Sequence, residues 1–225
     1  MAEPVPQRRL LQTLPLQIAD QMAAAVVDGT YSAGIRLRET ELAESFGVSR
    51  ATVREALRLM EQRGLVRIQP QRGATVTQLS EKELEDLFEV RASLLATGSR
   101  LAAERGSDDD ARYLKSLLEE LRAALGDIDA YTRVSAQMVG TLMSMSNNEL
   151  LASTIDAFAQ RIGRYVRLGL QTEARRRRSL ATWVKIVTAV CQGDGETASE
   201  QHRTLALDNR TAALDVFRRS IASKS

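Results

Sequence analysis

The sequence predicts a mainly α-helical protein in two parts: a small N-terminal unit of three helices and a hairpin, and a larger all-helical unit. Three observations carry this. Hydrophobic residues make up 44% of the chain but aromatics only 4%, with Ala, Leu and Arg plentiful, a mix that favours helices packed through small and aliphatic side chains. Strict apolar/polar alternation occurs in one short stretch near residues 65–79, the only strand-like period. A length of 225 residues fits one small and one medium domain.

Taken in order, residues 1–9 read as a flexible arm, with Pro4 and Pro6 early. From Pro15, Leu16, Ile18, Met22, Ala25 and Val26 follow helical spacing and stop at Gly29. "GTYSAGIRL" then reads as a turn-rich link. "ETELAESF" predicts a second helix, capped near Glu39–Thr40 and ended by Gly47. Ser49 is placed to cap a third, whose inward face is Val53, Ala56, Leu57 and Met60, with Gly64 to end it. In "LVRIQPQRGATVTQL", Val66 and Ile68 alternate with Arg67 and Gln69, the run breaks from Pro70 to Gly73, and Ala74 and Val76 resume it, which predicts a hairpin. Three helices followed by a hairpin describe a winged helix-turn-helix, spanning residues 10–78. From Ser80 no strand signal remains. Six or so helices are expected, at about 80–105, 108–125, 127–145, 147–170, 173–192 and 194–221, the first opened by a capping box at "SEKE". They make the second unit, 79–222, joined with almost no linker, so that it is able to orient the first.

The charge distribution is uneven. Residues 79–225 hold 21 basic and 21 acidic residues, whereas residues 50–72 hold six Arg against two Glu. Arg50, Arg54 and Arg58 recur every fourth residue along one flank of the third helix, and no acid lower on that face neutralises them. In a helix-turn-helix the second helix enters the major groove and its first turns reach base edges. Ser49, Arg50, Thr52 and Arg54 occupy those turns. Arginine offers a fork for guanine O6 and N7, and otherwise clamps phosphate. Arg72 and Gly73 at the hairpin tip suit a wing that approaches the minor groove or backbone. The alternative for each arginine alone is a solvated helix face; the ordered combination favours double-stranded DNA as partner.

The stretch "LRETELAESFGVSRATVREALRLMEQRGLVRIQPQRGATV" (37–76) resembles the signature of GntR-family bacterial transcription regulators. Leu-x-Glu-x-x-Leu-Ala, Val-Ser-Arg, Val-Arg-Glu-Ala-Leu, Gly-Leu-Val and Arg-Gly-x-x-Val all stand in register. The resemblance implies DNA contacts from Arg38, Ser49, Arg50, Thr52, Arg54, Arg72 and Gly73, and a homodimer on a near-palindromic operator, with repression the commoner mode. The helical second unit is similar to the FadR/FCD subgroup through "LFEVRASLLATGSRLAA" (87–103), "SMSNNELL" (144–151) and "IVTAVCQGDGETA" (186–198). That implies a bundle of six or seven helices which dimerises and binds a small effector. Many members of the subgroup hold a divalent metal through an Asp or Asn and three His. The corresponding positions here are Ser135, Val139, Trp183 and Leu205, and the chain has one histidine, His202. The expectation is a metal-free pocket near Arg91, Ser135, Val139, Trp183 and His202, either kept for a larger, more apolar organic or acyl acid, or collapsed. Arg91 meets a carboxylate or forms an ion pair, and His202 is a surface or satisfied histidine rather than a ligand. Methionines of "MVGTLMSMS" (138–146) are core residues or line the pocket. Arg175–Arg178 read as a solvated helix start, with a dimer patch, a phosphate contact or an anionic effector site as alternatives. The competing possibility for the whole chain is an effector-blind dimeric DNA binder.

Enzyme chemistry is not expected. One Cys and one His, with no HExxH, GxSxG or CxxC and no Gly-rich phosphate loop, offer no convergent catalytic set. No apolar run approaches the ~18 residues of a membrane span, the start lacks the features of a signal peptide, and a lone Cys191 suits a reducing cytoplasm.

Overall fold

The computed structural model describes residues 13–69 and 73–222; the N-terminal arm and Arg72 lie outside them. The chain divides into two compact units between Thr77 and Gln78.

In the first unit, α1 (Leu14–Asp28) starts beside a proline and ends at Gly29, whose φ of 92° is the left-handed conformation that glycine adopts freely. α2 (Glu39–Phe46) ends at Gly47 in the same way. Its start differs from expectation: Arg38 is the cap residue and supplies no side-chain hydrogen bond. α3 (Arg50–Gln62) opens on Ser49, whose Oγ accepts from the Thr52 N–H. Val53, Ala56, Leu57 and Met60 are buried, as their spacing requires, and pack with Ile18, Met22, Leu42 and Val76. The hairpin forms from β2 (Val66–Gln69) and β3 (Gly73–Val76), antiparallel with Ile68 opposite Ala74. The expected two-stranded wing is in fact a three-stranded sheet of order β1-β3-β2, because β1 (Arg36–Leu37), within the stretch read as a link, pairs with Thr75 and Ala74. Leu37 is 4% exposed, so one buried leucine and the free edge of β3 recruit these two residues into the sheet.

The second unit is all helical: α4 (Glu81–Arg105), α5 (Asp108–Ala123), a 3₁₀ turn (Ala124–Gly126) that ends α5 earlier than expected, α6 (Ile128–Met145), α7 (Glu149–Gly169), α8 (Glu173–Cys191) and α9 (Gly195–Ala222). Side chains cap the starts. Ser80 with Glu83 and Ser107 with Asp110 form capping boxes, and Asp127, Asn148 and Thr172 accept from the first turns of α6, α7 and α8. α4 is the spine, packed on α6, α7, α8 and most extensively α9. Met138, Met143 and Met145 are core. Met143 lies so close over Gly98 that a Cβ there would collide with its thioether, so these methionines fill the helix packing rather than a pocket.

The arginine run of α8 is not uniformly solvated. Arg176 is 5% exposed; its Nε donates to Leu125 O (2.7 Å) and its Nη1 to Leu170 O (2.9 Å) and Gln171 O (3.0 Å). It ties the 3₁₀ turn and the end of α7 to the start of α8, satisfying carbonyls that a helix end leaves free. Arg177 instead pairs with Glu173 at the surface. Arg176→Ala is therefore expected to lower the unfolding free energy by about 2–4 kcal/mol, because three carbonyls lose a charged donor, while Arg177→Ala changes it by no more than about 0.5 kcal/mol. Urea unfolding followed by circular dichroism measures both.

Candidate nucleic-acid interface and bundle cavity

Of the residues proposed from the sequence to meet DNA, Arg38, Arg50, Arg54 and Gly73 line one groove of the first unit; Ser49 and Thr52 lie outside its lining, and Arg72 lies outside the described residues. This groove, of about 540 Å³, is lined by Arg38, Arg50, Arg54, Arg58 and Gly73. It also includes Arg36, which the sequence reading did not single out; its Nε lies 3.7 Å from where a Gly73 Cβ would be. Gly73 has φ of 80°, so it turns the chain back into β3 without the strain that a side chain would meet. Ser49 and Thr52 hold the start of α3, their hydroxyls 2.8 Å apart.

The arginine row is not unpaired. Arg54 donates from Nε to Glu39 Oε1 (3.2 Å) and from Nη2 to Glu39 Oε2 (2.8 Å), a two-pronged contact between α3 and α2. The hydrogen bond from Arg54, with the nearby charges of Arg54 and Arg50, keeps the Glu39 carboxyl below its usual pKa. Arg38 pairs with Glu41 (2.7 Å) and Arg58 with Glu55 (3.4 Å). Arg50 is exposed and has no ion-pair or hydrogen-bond partner among the described residues. The groove thus presents five arginines around the single lining carboxylate of Glu39, with α2 steering the Arg54 guanidinium toward the groove.

In the second unit, Arg91, Ser135, Val139, Trp183 and His202 line one small space, together with Leu205. The resemblance pointed to Arg91, Ser135, Val139, Trp183 and Leu205; the rest of the lining includes Leu95, Val166, Leu170, Ser179, Ala206 and Asn209. The space measures about 20 Å³, room for roughly one water. His202 is not at the surface: it is 1% exposed, its Nδ1 shares a 2.5 Å hydrogen bond with Ser99 Oγ, and its ring packs edge-on against Trp183 at 5.1 Å. Trp183 Nε1 and Asn209 Oδ1 are buried without a hydrogen-bond partner. Arg91 makes no ion pair or hydrogen bond among the described residues, and burial of its guanidinium pulls the pKa down to about 10.

Residues 86–206 match the FCD domain and residues 14–76 match the bacterial regulatory proteins of the gntR family. The chain belongs to the GntR family. Relatives include the uncharacterized HTH-type transcriptional regulator YdhC of Bacillus subtilis, 30% identical over 144 residues (63% of this chain, 64% of that protein), and the Nta operon transcriptional regulator of Aminobacter aminovorans, 32% identical over 131 residues (57% and 62%). This GntR-family chain thus aligns with somewhat under two thirds of the length of these two relatives. Its fold matches that of Escherichia coli McbR/YncC, with a TM-score of 0.81 at 22% identity over 93% of this chain and all of that one. The family is one of DNA-binding transcriptional regulators and not of enzymes. No described helix is long and apolar enough to cross a membrane.

The metal that the FCD resemblance implies does not fit these residues. At its positions stand a serine hydroxyl, two aliphatic chains and an indole, which offer no set of nitrogen, sulfur or carboxylate ligands. The one imidazole nearby has its Nδ1 engaged by Ser99.

His202 gives the fold a pH dependence of known sign. Burial first, and then the Arg91 charge, lower its pKa from 6.5 to about 3. As pH falls, the unfolded chain takes up this proton before the folded one does. The stability of the neutral ring is complete above about pH 6.5 and is lost as pH falls towards 3, at up to about 1.4 kcal/mol per pH unit. Urea midpoints measured from pH 7 to pH 5 are expected to fall accordingly, and His202→Gln to flatten the slope.

Proposed function

We propose that this GntR-family protein is a homodimeric, operator-reading repressor, acting on double-stranded DNA in the cytoplasm and released when a small organic or acyl acid occupies the FCD bundle. The observation that carries the DNA reading is the groove in which Arg36, Arg38, Arg50, Arg54 and Arg58 surround one carboxylate beside Gly73. In this reading Ser49, Arg50, Thr52 and Arg54 face base edges from the first turns of α3, Arg38 holds phosphate, and Arg72 with Gly73 approaches the minor groove. Arg50, with no protein partner to leave, is the side chain best prepared for a guanine edge. The bundle works without a metal.

A second reading has its own observation. A cavity of about 20 Å³ supports an effector-blind protein whose bundle only dimerises. Fluorescence anisotropy with the duplex upstream of the protein's own gene, against a scrambled duplex of equal length, tests both. Preferential binding that a metabolite reverses supports the responsive repressor; preferential binding that no metabolite alters favours the second reading; equal binding to both duplexes, with no site recovered genome-wide, sinks the operator-reading claim. Sedimentation equilibrium tests the dimer.

A further inference from the structure

Two of the five arginines that line the DNA-facing groove have no ion-pair or hydrogen-bond partner among the described residues: Arg50 on α3 and Arg36 on β1. The strand dictates where Arg36 points. Successive residues of a strand face opposite sides. Leu37 is drawn into the core, so Arg36 is turned outward, opposite Thr75 of β3, and is exposed. Its side chain leans diagonally along the ladder onto Gly73, two residues before Thr75. There the guanidinium meets bare backbone: Nε and Nη2 lie 3.7 Å and 4.0 Å from where a Cβ would stand. Glycine at this position leaves the guanidinium uncovered at the base of the wing.

The groove runs between α3, through Arg50, Arg54 and Arg58, and the base of the wing, through Gln69 and Gly73. When a recognition helix lies in a major groove and a wing approaches the adjacent minor groove, one sugar–phosphate strand passes between the two. That strand carries a negative charge at every phosphate. Arg38, Arg54 and Arg58 are each already held by a carboxylate, and Arg50 stands in the first turn of α3, on the side of the base edges. The free cation on the wing side is Arg36. We propose that Arg36 is a further DNA-contacting residue, mounted on β1 to hold a phosphate of the strand that passes between α3 and the wing. The inference rests on the operator-reading proposal and deepens it. Sheet pairing fixes the backbone from which Arg36 projects, so only its side-chain torsions remain to be ordered on binding. A phosphate carries no sequence; Arg36 supplies grip and register, while Arg50 and Arg54 supply preference.

Full-length wild type, Arg36→Ala, Arg36→Lys and Arg67→Ala are titrated by anisotropy with the duplex upstream of the gene and with its scramble, from about 50 to about 200 mM salt. Melting temperatures are read on the same samples. Arg67 is the charge-matched control: it opposes Thr75 from the other side, on β2, is exposed, and stands outside the groove lining. Arg36→Ala is expected to bind both duplexes about tenfold more weakly for each bound protomer and to reduce the salt slope by about 0.9 per protomer. It keeps the operator-to-scramble ratio and melts like the wild type. Arg36→Lys recovers most of the loss, because a phosphate accepts a point charge, and Arg67→Ala changes little. Arg36→Gln replaces the alanine variant if that one melts low. Neutral methylphosphonates placed one at a time along the duplex are expected to include a position that weakens the wild type but not Arg36→Ala, the signature of a direct pair. An Arg36→Ala that binds like the wild type, that changes the ratio between the duplexes, that Arg67→Ala matches, or that shares every methylphosphonate effect with the wild type would overturn the inference. The wild type separates the two levels. If it prefers the operator and Arg36→Ala is silent, this inference alone fails. If it prefers no duplex, the operator reading fails, and the scrambled duplex still tests Arg36 as a phosphate contact.

Discussion

Arg50→Ala/Arg54→Ala is expected to weaken operator binding by at least about 30-fold while leaving the melting temperature close to that of the wild type. Each arginine that meets a base or phosphate is worth about 1–3 kcal/mol, and each 1.4 kcal/mol is tenfold. The two losses are unequal in kind. Arg50 has no partner to leave, so Arg50→Ala removes a DNA contact alone. Arg54→Ala also leaves Glu39 without its hydrogen-bonded partner, so that its carboxylate in the groove is freer to repel phosphate. Arg54→Ala is therefore the more damaging single change, and Arg54→Ala/Glu39→Gln recovers part of the loss. Arg112→Ala, which removes one surface cation from α5 in the other unit, is the charge-matched control and is expected to bind like the wild type. Anisotropy titrations on specific and scrambled duplexes measure all of these. A double variant that keeps wild-type preference would refute the placement of α3 in the major groove.

Trp183→Ala is expected to cost about 3–5 kcal/mol of stability and to lower the melting temperature by roughly 6–20 °C. Trp183 is among the largest fully buried side chains, it joins α8 to the main core, and it braces His202. Its truncation leaves a void that rigid helices close only in part. Trp183→Phe separates packing from polarity: it keeps most of the apolar contact and removes the unmatched N–H, so it should cost much less than alanine. Calorimetry is the appropriate measurement, because both variants lose the only tryptophan signal. Equal losses for Ala and Phe would show that the full bicyclic indole, and not a six-membered ring alone, is needed to fill the site.

The legible parts of the molecule were those with local causes. The period of Val53, Ala56, Leu57 and Met60 fixes the buried face of α3, and a serine before it fixes the start. Glycines and capping boxes mark most helix ends within a residue or two. What escaped depends on distant partners. β1 is two residues long, too short to show alternation, and exists because β3 offers an edge. Glu39 and Arg54 lie 15 residues apart across a turn, so the row of arginines looked unopposed. A run of four arginines carries no phase, and nothing in it says that Arg176 points inward to three carbonyls. The cavity's place was legible through the resemblance, but its volume is set by how α4, α6, α7, α8 and α9 close around Trp183.

A DNA-binding regulator has to find its site among roughly a million or more wrong ones, and the Arg54–Glu39 contact bears on that search. A bare cation grips any duplex through phosphate alone. A guanidinium already held by a carboxylate has little to gain from an arbitrary stretch of backbone, so it lets go quickly and the protein moves on. In the proposed operator reading, only a site that offers both prongs a better acceptor than Glu39 detains it. The acid on α2 thereby trades strength of hold everywhere for length of stay in one place.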